Sequence, residues 1–199
     1  MSRSHKLALL AWLLLAGSTV LLAVMPVDRS LLMFYPQTAL QQPWWQALSG
    51  HLLHLGNRHL AANLLALLLL LALAWRRGQL PQAWPVLLLS MLGVDLGLWL
   101  EGRVGWYVGL SGALHGLFAW LLLVRLPGAA RPHLAHWLWL AGAAKVLLDV
   151  YQPQHHWLAI PVVPQAHVFG FACGSLLALA SYRRRHASSD TPASNNKPV

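Results

Sequence analysis

Gly109-Leu110-Ser111-Gly112-Ala113-Leu114-His115-Gly116 places a serine between glycines where an apolar run over residues 111–124 begins. A serine that attacks a carbonyl needs an exposed Oγ and room for the substrate backbone, and flanking glycines provide that room. The same pattern occurs in ordinary turns and membrane helices, so its meaning comes from its surroundings. At ~1.5 Å per residue the run extends roughly 22 Å, against about 30 Å for the hydrocarbon core of a bilayer. Arg125 anchors the far end at the interface, so the Ser111 end is expected to stop inside the membrane. Gly105 and Gly109 suit a loop at that depth, where backbone is tolerated only if protein or water surrounds it.

Composition puts the rest of the chain in the same solvent. Of 199 residues, 57% are hydrophobic and 10% charged, far from the roughly 25% charged of a soluble domain. The net charge of +9 is carried by short basic caps beside apolar runs. No continuous basic face or aromatic-basic motif accompanies them, which excludes nucleic acid as a partner and leaves the lipid bilayer. The single cysteine, Cys173, rules out an intramolecular disulfide framework and reads as a small packing residue.

An all-α, polytopic membrane protein with six transmembrane helices is expected, over residues 7–25, 50–75, 82–100, 111–124, 133–150 and 163–182. The first run exceeds the roughly 7–15 residues of a signal-peptide core and lacks a good cleavage site, so it reads as a retained helix. Residues 26–49 hold three prolines with Phe34, Tyr35, Trp44 and Trp45, a composition suited to a loop lying on the headgroups. The loop after the fifth helix carries Pro153, His155, His156 and Pro161, and Arg183-Arg184-Arg185 is expected to stop the sixth helix. With the N-terminus inside, the inner segments hold Arg3, Lys6, Arg76, Arg77, Arg125, Arg131, Arg183, Arg184, Arg185 and Lys197. The outer loops hold Arg29 and Arg103, with Arg58 near the outer end of helix two, an asymmetry that puts both termini in the cytoplasm.

That topology brings three polar sites to a similar depth near the outer face. His59 and Asn63 lie four residues apart on one face of the second helix. An imidazole N–H, an Asn amide and the Ser111 backbone N–H are the donors an acyl-transfer oxyanion needs, although structural hydrogen bonding between helices is the commoner fate of such residues. His167 opens the sixth helix, followed on its own face by Gly170 and Gly174, while Gly112 and Gly116 form a second small-residue pair beside Ser111. Two such stripes let helices approach closely, which a Ser–His dyad requires. His115, one turn from Ser111, is expected to pack against the His167 ring; His51 and His54 lie on the approach to His59, with His54 expected to organise the oxyanion side and His51 as readily interfacial. Lys145 and Asp149, one turn apart, read as a structural ion pair. Asp95 and Asp149 are candidates for a third position that a dyad does not require.

These residues and their order resemble the rhomboid family of intramembrane serine proteases. There Gly-x-Ser-Gly opens helix four, Ala-His-x-x-Gly-x-x-x-Gly opens helix six, and His-x-x-x-Asn lies on helix two. Gly109-Leu110-Ser111-Gly112, the run from Ala166 to Gly174, and His59 with Asn63 match all three. The resemblance covers about residues 50–182 and implies a six-helix rhomboid-like bundle over residues 1–182, with a disordered cytoplasmic tail at 183–199. It implies Ser111 as nucleophile, His167 as general base, and His59 with Asn63 as oxyanion stabilisers. His115 stands where the family commonly has Tyr, and the first outer loop reads Trp44-Trp45-Gln46 in place of a Trp-Arg pair.

The form Gly-Leu-Ser-Gly-Ala-Leu-His-Gly looks like the rhombosortase subfamily. That likeness implies a bacterial inner-membrane enzyme acting on exported proteins with a C-terminal Gly-Gly-type sorting tail, a transmembrane helix and basic residues. Cleavage near the glycines would release the substrate or transfer it to an acceptor. A Gly-rich junction unwinds cheaply, whereas a regular helix protects its peptide bonds. The main alternative, a rhomboid-like pseudoprotease that binds transmembrane helices without cutting, would have lost Ser or His, and both are present. The eleven histidines do not cluster as metal or haem ligands, and no repeated halves suggest a transporter. No cofactor is expected.

Overall fold

The computed structural model describes residues 2–124, 132–152 and 162–189. Among these are α1 (Arg3–Val24), α2 (Gln46–Leu52), α3 (Asn57–Arg76), α4 (Leu80–Glu101), α5 (Ser111–Leu123), α6 (Pro132–Tyr151) and α7 (Pro164–Ser189). No strand occurs among the described residues; an isolated antiparallel bridge joins Phe34 to Tyr107. The ends follow local chemistry. The Ser2 side chain accepts the His5 N–H at the start of α1, and Gly102, in the left-handed region at φ 70°, closes α4 by donating its N–H to the Leu98 carbonyl.

Helices α1, α3 and α4 are each long and apolar enough to cross a membrane. Their outer faces expose Leu10, Leu14, Leu21, Leu65, Leu68, Leu92 and Leu96. An apolar surface of that extent is a lipid contact rather than a water contact, so the chain is an integral membrane protein. The inner faces close around α5, which touches α3, α4, α6 and α7. Helix α5 is buried almost all round, from Gly112 to Leu122, as expected of a helix apolar on every face. On the other side of α4, Trp12 of α1 is 1% exposed and meets Trp84 edge-on at 4.9 Å.

Two elements differ from the sequence reading. The second helix expected over residues 50–75 is two helices, because the backbone turns extended at Leu53 and passes through Gly56 at φ 143° before α3 starts. Gly56 tolerates a dihedral that a side chain would forbid. His51 therefore belongs to α2 and His54 to the link, and the described helices number seven where six are expected. Helix α7 runs through Arg183, Arg184 and Arg185 to Ser189, past the start of the expected tail. Arginine is a good helix former, so a basic cap marks a membrane surface without ending a helix. The rest of that tail, at 190–199, lies outside the described residues, as do Arg125, Arg131 and the loop of Pro153, His155, His156 and Pro161.

The long first loop is laid against the loop between α4 and α5. Phe34 and Tyr107 exchange backbone hydrogen bonds of 3.2 and 2.7 Å, and the Gly109 N–H donates to the Gly50 carbonyl at 2.9 Å. Ser49 Oγ donates to the Leu32 carbonyl at 2.8 Å, and an Arg29 guanidinium N–H donates to the His54 carbonyl at 3.0 Å. The segment leading into Ser111 is thus held by the loop after α1 as well as by its own helices.

Candidate active site

The crossing of α5 and α7 is made by glycine against glycine. A methyl group on Gly170 would overlap the carbonyl of Gly112, and one on Gly174 would overlap the carbonyl of Gly116. Backbones this close leave no space for side chains between them. The residues that open the two helices consequently meet: Ser111 Oγ and His167 Nε2 are 2.9 Å apart, in hydrogen-bonding contact. His167 is 4% exposed.

His115 supports this pair from one turn along α5. Its Nδ1–H donates to the Ser111 carbonyl at 2.8 Å, and its ring stacks on that of His167 with centroids 4.2 Å apart and planes at 20°. The face of the His167 ring is therefore fixed by a neighbour on the same helix as the serine.

The opposite side of the serine is lined by α3. Gly109 has a φ of 121°, and a side chain there would strike the His59 ring. Glycine at this position lets the imidazole rest against the backbone two residues before Ser111. His59 Nδ1 accepts the Leu55 N–H at 3.4 Å, so the neutral ring carries its proton on Nε2, which is buried and has no hydrogen-bond partner among the described residues. A donor without an acceptor beside a serine hydroxyl is an arrangement that could receive a developing oxyanion. Asn63, one turn further, is buried; its Nδ2 donates one hydrogen to the His59 carbonyl at 2.9 Å, and an amide nitrogen has two. The first turn of α5 carries no side-chain cap, so the Ser111 N–H is one of the backbone donors that a helix start leaves without an intrahelical partner.

His54 reaches this group through His59, the two rings lying edge to face at 5.0 Å. Burial, then the adjacent His59, pushes the His54 pKa down to about 4, which keeps the ring neutral with Nδ1–H donating to the Leu52 carbonyl at 3.1 Å. Of the two places open to His51, the oxyanion side and the interface, the second does not hold. His51 is fully buried, and its Nε2–H donates to Asp95 Oδ1 at 3.1 Å. Its ring also meets Tyr107 at 5.3 Å.

Tyr107 is a residue that sequence reading missed. Its hydroxyl, held well above the usual phenol range first by burial and then by the Asp95 carboxylate, stays protonated and donates to the Gly109 carbonyl at 2.6 Å. A chain from Asp95 through His51 and Tyr107 therefore braces the backbone that presents Ser111. Of the two carboxylate candidates for a third position, Asp149 is the one near His167. It pairs with Lys145 at 2.6 Å as expected, and the same oxygen lies 3.6 Å from His167 Nδ1. The facing of α6 toward α7 sets that contact, and no local pattern encodes it.

An apolar cleft of about 360 Å³ between the first loop and α4, lined by Phe34, Pro43, Trp44, Leu92, Leu96 and Trp99, includes neither Ser111 nor His167. Polar chemistry in an apolar bundle, more than concavity, marks the site.

No curated protein sequence matches the chain. The family described as Rhomboid domain matches residues 41–184, which include His59, Asn63, Ser111, His115 and His167. The match spans most of the chain and takes in α2 through most of α7: the chain belongs to the rhomboid family, a family of intramembrane serine proteases.

Proposed function

We propose that this chain is an active endopeptidase of the rhombosortase type, in which Ser111 and His167 form the catalytic dyad. The 2.9 Å contact between Ser111 Oγ and His167 Nε2 carries the reading. His167 takes the Oγ proton as the Oγ–C bond forms at the scissile carbonyl, and the carbonyl π pair moves onto oxygen. His59 Nε2–H, the Asn63 amide and the Ser111 N–H receive that charge. Collapse breaks the C–N bond with the proton passing from His167 to the leaving amine, and water then opens the acyl-enzyme by the reverse assignments.

Six helices, α1 and α3 to α7, span a bacterial inner membrane with both termini cytoplasmic. Helix α5, at 13 residues, covers about 20 Å, which supports a Ser111 end sunken below the outer surface and reached by water from that side. The glycine-on-glycine crossing leaves a narrow site, suited to a substrate whose cleavage point unwinds easily. A glycine motif ahead of a single transmembrane helix and basic residues meets that demand. The substrate is therefore an exported protein anchored by a C-terminal Gly-Gly-type tail.

The test is co-expression with a reporter ending in such a tail, comparing the intact chain with Ser111→Ala and His167→Ala. Shortening and membrane release of the reporter by the intact chain alone is the expected result. Equal processing by all three, with each folded and inserted, refutes the assignment; no processing of any tailed substrate, together with no fluorophosphonate labelling of Ser111, leaves a binding protein in its place.

A further inference from the structure

The base has a third neighbour. His167 Nε2 faces Ser111 Oγ, and its other ring nitrogen, Nδ1, lies 3.6 Å from Asp149 Oδ2 on α6. The stacking of His115 fixes the plane of the ring but leaves its rotation within that plane, and the choice of protonated nitrogen, to whatever meets Nδ1. A carboxylate 3.6 Å from Nδ1 attracts an N–H there, and so acts on both the rotation and the tautomer.

The Lys145 pairing alone does not account for this arrangement. An exposed pair at i,i+4 contributes little and needs no contact outside its own helix. The Lys145 side chain is 52% exposed, while the Asp149 side chain is 21% exposed and is directed against an imidazole that is 5% exposed. A carboxylate brought into a helix junction within the bilayer is costly unless a partner there uses it. The 3.6 Å separation is longer than a hydrogen bond, as catalytic contacts in a resting site often are before substrate tightens them.

We infer that Asp149 is the positioning residue of His167, so that the site works as a Ser111–His167–Asp149 line; the inference rests on the protease reading above. Asp149 accepts Nδ1–H, which leaves the Nε2 lone pair directed at the serine hydroxyl. When Nε2 takes the Oγ proton, the carboxylate faces the imidazolium and stabilises it. No proton moves to Asp149: the proton that Nε2 receives from Ser111 is the one it returns to the leaving amine.

Purified intact chain, Ser111→Ala, Asp149→Asn, Asp149→Glu and Lys145→Ala are compared for kcat and KM on a glycine-tailed reporter, and for the rate of fluorophosphonate labelling at Ser111, each checked for unchanged thermal melting in detergent. A buried, hydrogen-bonded aspartate in a serine-protease triad is worth about 10⁴-fold in kcat; for this longer, partly exposed contact, Asp149→Asn is expected to lose about tenfold to a hundredfold in kcat and in labelling, with KM unchanged. Glutamate, one methylene longer, spans the 3.6 Å gap and regains most of that loss. Lys145→Ala stays within about threefold of the intact chain, since it leaves the carboxylate in place. Equal losses from Lys145→Ala and Asp149→Asn overturn the inference in favour of a structural ion pair, as does full activity in Asp149→Asn. An intact chain no faster than Ser111→Ala in both assays sinks the protease reading itself, and Asp149 with it; one faster than Ser111→Ala but matched by Asp149→Asn sinks the role of Asp149 alone.

Discussion

Adding one methyl group at Gly170 tests whether the α5–α7 crossing sets the reactive distance. The new carbon would overlap the Gly112 carbonyl, which is backbone and has no rotamer to change. Restoring van der Waals separation of about 3.5 Å requires the helices to part by on the order of 1 Å. Ser111 opens α5 one residue before Gly112, and His167 lies three residues before Gly170 on α7, so the parting is transmitted to the 2.9 Å Oγ–Nε2 contact and takes it beyond hydrogen-bonding range. A misplacement of that size costs about 10²-fold in rate, or ~2.7 kcal/mol of barrier. Overpacking lowers stability separately by ~1–3 kcal/mol. The assay is fluorophosphonate labelling of Ser111 in detergent, run beside thermal melting, with Gly17→Ala in α1 as control because nothing lies within 4 Å of a Cβ there. Gly17→Ala should label like the intact chain and melt no lower, alanine being the better helix former. If Gly170→Ala also labels at the unaltered rate, the helices do not meet at these glycines, and the geometric argument for the dyad fails.

The other side of the serine and the brace behind it yield two further expectations. Gly109→Ala places a side chain at φ 121° and against the His59 ring; strain of ~1–2 kcal/mol and displacement of the proposed oxyanion donor should lower kcat about tenfold or more with little change in KM, and a loss confined to KM would contradict the role given to His59. His51→Ala leaves Asp95 buried without its partner, at a cost of about 3 kcal/mol; the cycle with Asp95→Asn, measured by thermal melting in detergent, should show coupling of at least ~1 kcal/mol, and additive effects would mean that the two side chains do not pair.

What the chain discloses in advance depends on whether a signal is local. Gly112 with Gly116 and Gly170 with Gly174 repeat at helical spacing, so a close crossing of two helices is readable from the order of residues alone, and with it the approach of Ser111 to His167. The break between α2 and α3 is hidden because His51, His54, His59 and Asn63 read as one continuous polar face; the only backbone signal is Gly56, and glycine is common inside membrane helices. The extension of α7 beyond Arg185 is missed because charge reports where lipid ends, while propensity decides where a helix ends. Tyr107 and Asp149 belong to a third kind. Their partners, the Gly109 carbonyl and His167 Nδ1, are set by how a loop folds back and by which face α6 turns to α7. Lys145, four residues before Asp149, even supplies a sufficient local explanation that conceals the longer-range contact.

The order of Ser111 and His167 along the chain also bears on how the protein is made. The serine sits on the central helix and the imidazole proposed to activate it on α7, 56 residues later. Synthesis proceeds from the N-terminus, so a half-made chain can dock its first loop onto the segment before Ser111 while α7 is still in the ribosome. At that stage the hydroxyl has no base and is no more reactive than any other serine alcohol. On the proposed chemistry, insertion of α7 is the step that switches the protein on.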